Sequence, residues 1–190
     1  MRRAQGGVAA RRTIAYIGAM KRHIIIHPDP RLKKVCAPFE GVDAAVRKLA
    51  DDMMETMYDA PGIGLAAPQI GVLQRLFVMD CAGKDATPEP MALINPEITW
   101  VSDELNVYEE GCLSIPEQYE EVTRPAEVKV RFTDLDGNLQ ERQFDGLRAT
   151  CAQHEIDHLN GKLFIDYLSR IKRSMITKKM KKLKAERAVL

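Results

Sequence analysis

The pentapeptide His154-Glu155-Ile156-Asp157-His158, an HExxH pattern, restricts what this chain can fold into more than any other segment. Two imidazoles at that spacing can act together only where the backbone is helical, because four residues are just over one turn and the side chains stack on one face. Both rings can then reach one divalent ion. Glu155, beside the first ring, would lie close enough to take a proton from water polarised by that ion. The pattern arises by accident in about one chain in a hundred of this length. Its neighbours also point to a helix. Asp145 can cap the start, Leu147, Cys151, Ile156 and Leu159 recur at helical spacing, and Asn160-Gly161 can end it.

Two histidines do not complete a catalytic metal site, which needs a further protein ligand and an open position. Cysteines and carboxylates compete for that place. Cys112 stands out in Glu109-Glu110-Gly111-Cys112-Leu113-Ser114-Ile115-Pro116, where the glycine permits a bend and close backbone approach. Cys151, three residues before His154, could face the same ion, but its place in the apolar repeat marks it as a core thiol. Cys36 and Cys81 lack any surrounding motif and read as free structural thiols. His23 and His27 share the helical spacing, yet Pro28 and Pro30 oppose a helix, so both are expected at the surface. Gly62-Ile63-Gly64-Leu65-Ala66-Ala67-Pro68-Gln69 forms a loop along which another backbone could lie, and Gln69 offers an amide donor. No lysine followed by Ser or Thr accompanies those glycines, so a nucleotide site is unsupported.

With 190 residues, 45% of them hydrophobic, the chain can build one sizeable core. Residues 20–190 are expected to form a single catalytic domain that includes a basic C-terminal helix at 168–190. Asp43 caps a first helix whose Val46, Leu49, Ala50, Met53 and Met57 follow the helical period until Pro61-Gly62. Short β-type runs follow at 76–79, at 93–101 with Pro96 interrupting, and at 128–132, which Asp136-Gly137 turns back into 139–144. Ile24–Ile26 is a further short strand candidate. The order predicts an α+β fold: antiparallel or mixed β-sheets around a central HExxH helix, with an N-terminal amphipathic helix and a C-terminal helix.

Four scattered cysteines argue against a disulfide framework and for a reducing compartment. No apolar run is long enough to cross a bilayer, so a soluble chain without membrane contact is expected. The net charge of +1 hides an asymmetry: residues 1–23 carry six basic and no acidic side chains, residues 168–190 nine against one, and residues 24–167 thirteen against 26. Residues 1–19 have the texture of a mitochondrial or plastid transit peptide, and equally of an upstream extension before a start at Met20 or of a disordered tail. They are left out of the fold. The C-terminal stretch has an incomplete apolar stripe, Leu168, Ile171, Met175, Met180 and Leu183, among clustered lysines. It reads either as a solvated face or as a surface for an anionic partner, RNA foremost.

In carrying GIGLAAPQ at 62–69, EGCLS at 110–114 and QHEIDH at 153–158, in that order, the chain resembles peptide deformylase from about Met20 to the C-terminus. The resemblance implies hydrolytic removal of the formyl group from the N-terminal methionine of new polypeptides. It implies one divalent ion on Cys112, His154 and His158, with Glu155 as general base and acid. Fe(II) suits that ligand set, Zn(II) or Ni(II) are tolerated, and oxygen sensitivity would follow for iron. Gln69 and the backbone amide of Leu113 would stabilise charge on the formyl oxygen. Ile63, Gly64 and Gly111 would pair with the substrate backbone, and Ile63, Leu147, Cys151 and the His154 ring would line the methionine pocket. The basic C-terminal helix resembles the bacterial type and implies transient ribosome contact. A monomer in the bacterial cytoplasm is expected, or an organellar enzyme if residues 1–19 are a transit peptide. Two other functions compete: an HExxH metallopeptidase cleaving internal bonds, and a catalytically silent ribosome-associated metal protein.

Overall fold

Four consecutive apolar residues, Leu76-Phe77-Val78-Met79, are all buried, which requires a strand covered on both faces. The computed structural model, which describes residues 19–83 and 86–187, supplies both covers. Its elements run α1 (Ala44–Asp59), β1 (Gly64–Ala66), β2 (Leu76–Met79), β3 (Met91–Val101), β4 (Leu105–Cys112), β5 (Ile115–Pro125), β6 (Glu127–Thr133), β7 (Leu139–Asp145), α2 (Gly146–Leu159) and α3 (Arg170–Arg187). One sheet has the order β1-β2-β3-β6-β7 and the other is the β4-β5 hairpin, all paired antiparallel. The fold is α+β, as expected. The N-terminal extension, residues 1–18, lies outside the described residues.

Alternation along the strands divides the core. Phe77, Met79, Leu93, Val128, Val130, Phe132 and Phe144 face α2, meeting Ala149, Cys151, Ala152, Ile156 and Leu159. Leu76, Val78, Leu65, Ala92 and Ile94 face α1, meeting Val46, Ala50, Met53, Met54 and Met57. Each fully buried side chain of this size contributes about 1.5 to 3 kcal/mol. The Asp43 carboxylate caps α1 by accepting from the Val46 amide at 2.9 Å. Asp145 stands at the N-cap of α2 without a side-chain bond, so packing against the sheet holds that helix. The chain leaves α2 at Gly161, φ 72°, where a Cβ would stand 2.6 Å from the Lys33 carbonyl oxygen.

Several sequence expectations change. Pro96 does not interrupt β3; the register shifts across it, between Ile94 and Glu97, and Asn95 takes φ 51° while its side chain pairs both ways with the Phe39 backbone. Ile24–Ile26 forms no strand, because the Ile25 amide donates to the Gln69 carbonyl and the His27 amide to the Ser114 carbonyl, tying two site segments together. His27 is buried rather than superficial, its Nε2 3.0 Å from Thr177 Oγ1 on α3. The buried face of α3 is Ile176 and Met180 with Leu183 packed beside them; Ile171 and Met175 of the expected stripe are exposed. The third core cluster, with Ile115, Val122, Phe164 and Ile165, sets that rotation. The β4-β5 hairpin was not foreseen, because its inward positions include Glu110 and Arg124 instead of apolar residues.

Candidate active site

α2 carries His154 and His158 four residues apart on one face with Glu155 beside them, and the hairpin brings its strand end to them. At Gly111/Cys112 the β4-β5 register shifts, a bulge that re-aims Cys112. As a result one ligand atom each from Cys112, His154 and His158 lies within 4.8 Å of the others. Cys112 Sγ is 3.2 Å from His158 Nε2, and the two rings meet edge to face with centroids 5.0 Å apart. His154 Nδ1 is 2.8 Å from Glu110 Oε2, which leaves Nε2 for the shared point. Glu155 Oε2 is buried and has no protein partner. A thiolate, two imidazoles and an unpaired carboxylate around one point fit a divalent ion with a position left for water.

A 3-10 turn, Ala67–Ile70, presents Gln69. Its Oε1 accepts from the Ala66 amide at 2.8 Å, and its Nε2 points to Ser114 Oγ and Cys112 Sγ at 3.2 and 3.4 Å. The carbonyl end is thus locked by the loop and the donor end aimed into the site. Gly64 presses on Glu155 and Cys151; a Cβ there would overlap the Glu155 carboxylate and stand 2.8 Å from Cys151 Sγ.

Burial governs the charges. It pushes the Glu155 carboxyl up to about 7. It also holds His158, with the nearby His154 and Arg124 charges, well below the usual histidine range, so that ring is neutral. Burial opposes charge on His154 too, but its bonds to Cys112 and Glu110 outweigh this and push the ring well above the usual histidine range. Burial alone would raise Glu110; hydrogen bonds from His154 and Arg124 hold it below the usual carboxylate range.

A cavity of about 420 Å³ opens over this centre. Ile63, Gly64, Gln69, Gly111, Cys112, Leu113, Leu147, Cys151, His154 and Glu155 line it, so every residue expected at the site except His158 is in its wall. Thr150, Tyr108 and Tyr119 line it as well. Cys151 belongs to both the core and the cavity wall. Sequence reasoning overlooked the support behind the candidate ligands. Arg124, buried, bonds Glu110 through Nε and Nη2 at 2.6 and 3.0 Å and Asp157 through Nη1 at 2.8 Å, and Tyr167 completes the group on Asp157. Glu110 and Asp157 stood inside the quoted motifs; nothing local to Arg124 marks it.

An α+β fold that closes this donor set under a cavity defines a hydrolase with a candidate metal centre. Residues 21–174 match the model of the polypeptide deformylase family. A curated peptide deformylase from Bradyrhizobium diazoefficiens is 62% identical over 165 residues, 85% of this chain and 95% of that protein. Among solved structures, a peptide deformylase from Legionella pneumophila matches with TM-score 0.81 and 46% identity, covering 88% of this chain and 98% of that one. The Ehrlichia chaffeensis peptide deformylase in complex with actinonin matches with TM-score 0.80 and 41% identity, over 86% and 97%. This chain belongs to the polypeptide deformylase family and is an enzyme of that family, acting on formylated nascent peptides.

Proposed function

We propose that the chain hydrolyses the N-formyl group of nascent polypeptides with one divalent ion held by Cys112, His154 and His158, releasing formate. The observation that carries this is the thiolate and two imidazoles within reach of one ion, beside a buried carboxylate with no protein partner. One anionic sulfur and two neutral nitrogens suit Fe(II), with Zn(II) or Ni(II) as substitutes. When bound, the ion supplies Lewis acidity, polarising the formyl oxygen and acidifying water.

The chain's own residues do the rest. Glu155 takes the proton of the attacking water and passes it to the departing amine. The Gln69 amide and the Leu113 backbone N–H donate to the formyl oxygen as it gains charge, each such donor being worth about 3 to 4 kcal/mol. β1 and β4 are edge strands that line the cavity, so Gly64 and Gly111 can pair with an extended peptide whatever its sequence. Ile63 and Leu147 are apolar yet partly exposed in that wall, and with Cys151 and the His154 ring they receive the methionine side chain. Exposed lysines of α3 give transient contact with ribosomal phosphates. Among the described residues no helix is long and apolar enough to cross a membrane. A bacterial cytoplasm fits the bacterial relatives, and the chain is read as a monomer.

The test is anaerobic formate release from formyl-Met-Ala-Ser with metal measured on the same sample. Glu155→Ala is expected to keep its metal and lose about 10² to 10⁴ in kcat. Full activity in that variant, or equal cleavage of internal bonds in an unformylated peptide, would overturn the assignment.

A further inference from the structure

Asp80 follows the last residue of β2 and is buried, yet it is not in the cavity wall and stands in none of the three motifs. Several segments share its side chain. Oδ2 accepts from the Tyr58 hydroxyl at 2.5 Å, and Oδ1 accepts from the backbone amides of Ala82 and Glu89 at 3.0 and 3.2 Å. Both oxygens are thus occupied, as burial of a carboxylate requires. The Asp80 amide in turn donates to the Ile63 carbonyl at 2.9 Å. These partners lead back to the cavity. Tyr58 is in the last turn of α1, just ahead of Ala60, Pro61, Gly62 and Ile63, which all line the wall. The Glu89 carboxylate pairs with Arg148 on α2, next to Leu147, which lines the same cavity.

We propose that Asp80 is a positioning residue for the reaction: it sets the spacing between Ile63 and Leu147, and with it the fit of the substrate's methionine side chain. This rests on the proposed function, in which those two residues receive that side chain. Ile63 and Leu147 belong to separate segments, the loop before β1 and the first turn of α2, and they are 41% and 42% exposed. Side chains so exposed are held by their backbones more than by their neighbours. The Ile63 segment is fastened at two points, by the Tyr58 hydroxyl just ahead of it and by the Asp80 amide on its own carbonyl. The arm to Leu147 runs through the Glu89–Arg148 pair, which is solvent-exposed and therefore weak, so the Tyr58 arm carries most of the effect. Gly64, which accommodates Glu155, is held separately by its pairing with Met79. Loosening Asp80 therefore acts on how the substrate seats and leaves the reacting groups in place.

The test compares steady-state formate release by the full-length enzyme and by its Tyr58→Phe, Asp80→Ala and doubly substituted variants at equal metal content. Tyr58→Phe removes one hydroxyl and keeps the ring, so it carries the test if Asp80→Ala does not fold. KM for formyl-Met-Ala-Ser is expected to rise several-fold in Tyr58→Phe and further in Asp80→Ala, with kcat within about twofold of the unmodified enzyme. The double variant should show no larger KM than Asp80→Ala, because the two groups act as one unit. The advantage of formyl-Met-Ala-Ser over formyl-Ala-Ala-Ser in kcat/KM should fall in the same order, since a loosened pocket loses contacts only with the longer side chain. A merely structural role would lower thermal stability and leave KM and that ratio unmoved, which would overturn the proposal. A fall in kcat at constant KM, or additive effects in the double variant, would overturn it as well. Absence of formate release from the unmodified enzyme would overturn the proposed function and this role with it, whereas turnover with a KM indifferent to both substitutions would overturn the role of Asp80 alone.

Discussion

Glu110 and Arg124 show how single residues can order the candidate site by holding His154 in place. His154 could rotate about its side chain, but the 2.8 Å bond to Glu110 fixes the ring, and Arg124 in turn holds both Glu110 oxygens. Both side chains are almost fully buried, so losing either charge leaves the other without full compensation. Glu110→Gln is expected to weaken metal retention about 10- to 100-fold, read as metal lost during dialysis against a graded chelator. Retention equal to the unmodified enzyme would show that the bond does not orient the ring. Motif reading singled out the candidate ligands because HExxH and EGCLS are local. Arg124 escaped it, since its meaning comes from a cross-strand pairing and a helix 33 residues away.

At the scale of elements, close approach between β1 and α2 is the critical contact. Gly64 leaves room for the Glu155 carboxylate and the Cys151 sulfur, and no other residue does. Gly64→Ala is expected to displace Glu155 by a fraction of an ångström to an ångström and lower kcat about 100-fold with metal content preserved. Steady-state kinetics and metal analysis of the purified variant check this; unaltered kcat would mean the carboxylate has slack. α3 divides into two roles. Ile176 and Met180 are buried, so removing the helix would uncover the third core cluster and confuse any docking experiment. Lys178 and Lys181 are exposed instead, and Lys178→Glu with Lys181→Glu should weaken ribosome co-sedimentation several-fold at low salt while the fold persists. Undiminished co-sedimentation would remove α3 as the contact. Helix limits, strands β2, β6 and β7 and the Asp136-Gly137 turn were legible from period and capping. The β4-β5 hairpin was not, because its inward face is an ion network.

Across the whole molecule, the N-terminal segment is tied to α1 at Asp52, Thr56 and Asp59, and Asp52 holds most of the bonds. The Asp52 side chain is fully buried and accepts from the Met20 amide at 2.7 Å, from Arg22 at 2.7 and 3.0 Å and from Lys48 at 2.9 Å. Burial would raise its pKa, but these bonds outweigh it and hold the group below 3.8. A depressed folded pKa means the stabilisation is complete above the unfolded value and is lost as pH falls through the folded one. Asp52→Asn is therefore expected to lower unfolding free energy by about 2 kcal/mol at neutral pH. The gap from the unmodified protein should shrink once pH drops below about 4. Urea melts across that range measure it, and a gap independent of pH would assign the effect to something other than ionisation. The sequence by itself determined the helix that must carry two imidazoles, the residues able to share an ion with them, and the α+β texture. All of these depend on spacing along the chain or on the chemistry of single side chains. Only the tertiary structure decided that Glu110 and Arg124 stand behind His154 and that His27 is buried. Those contacts join segments far apart in the chain, and packing alone brings them within bonding distance.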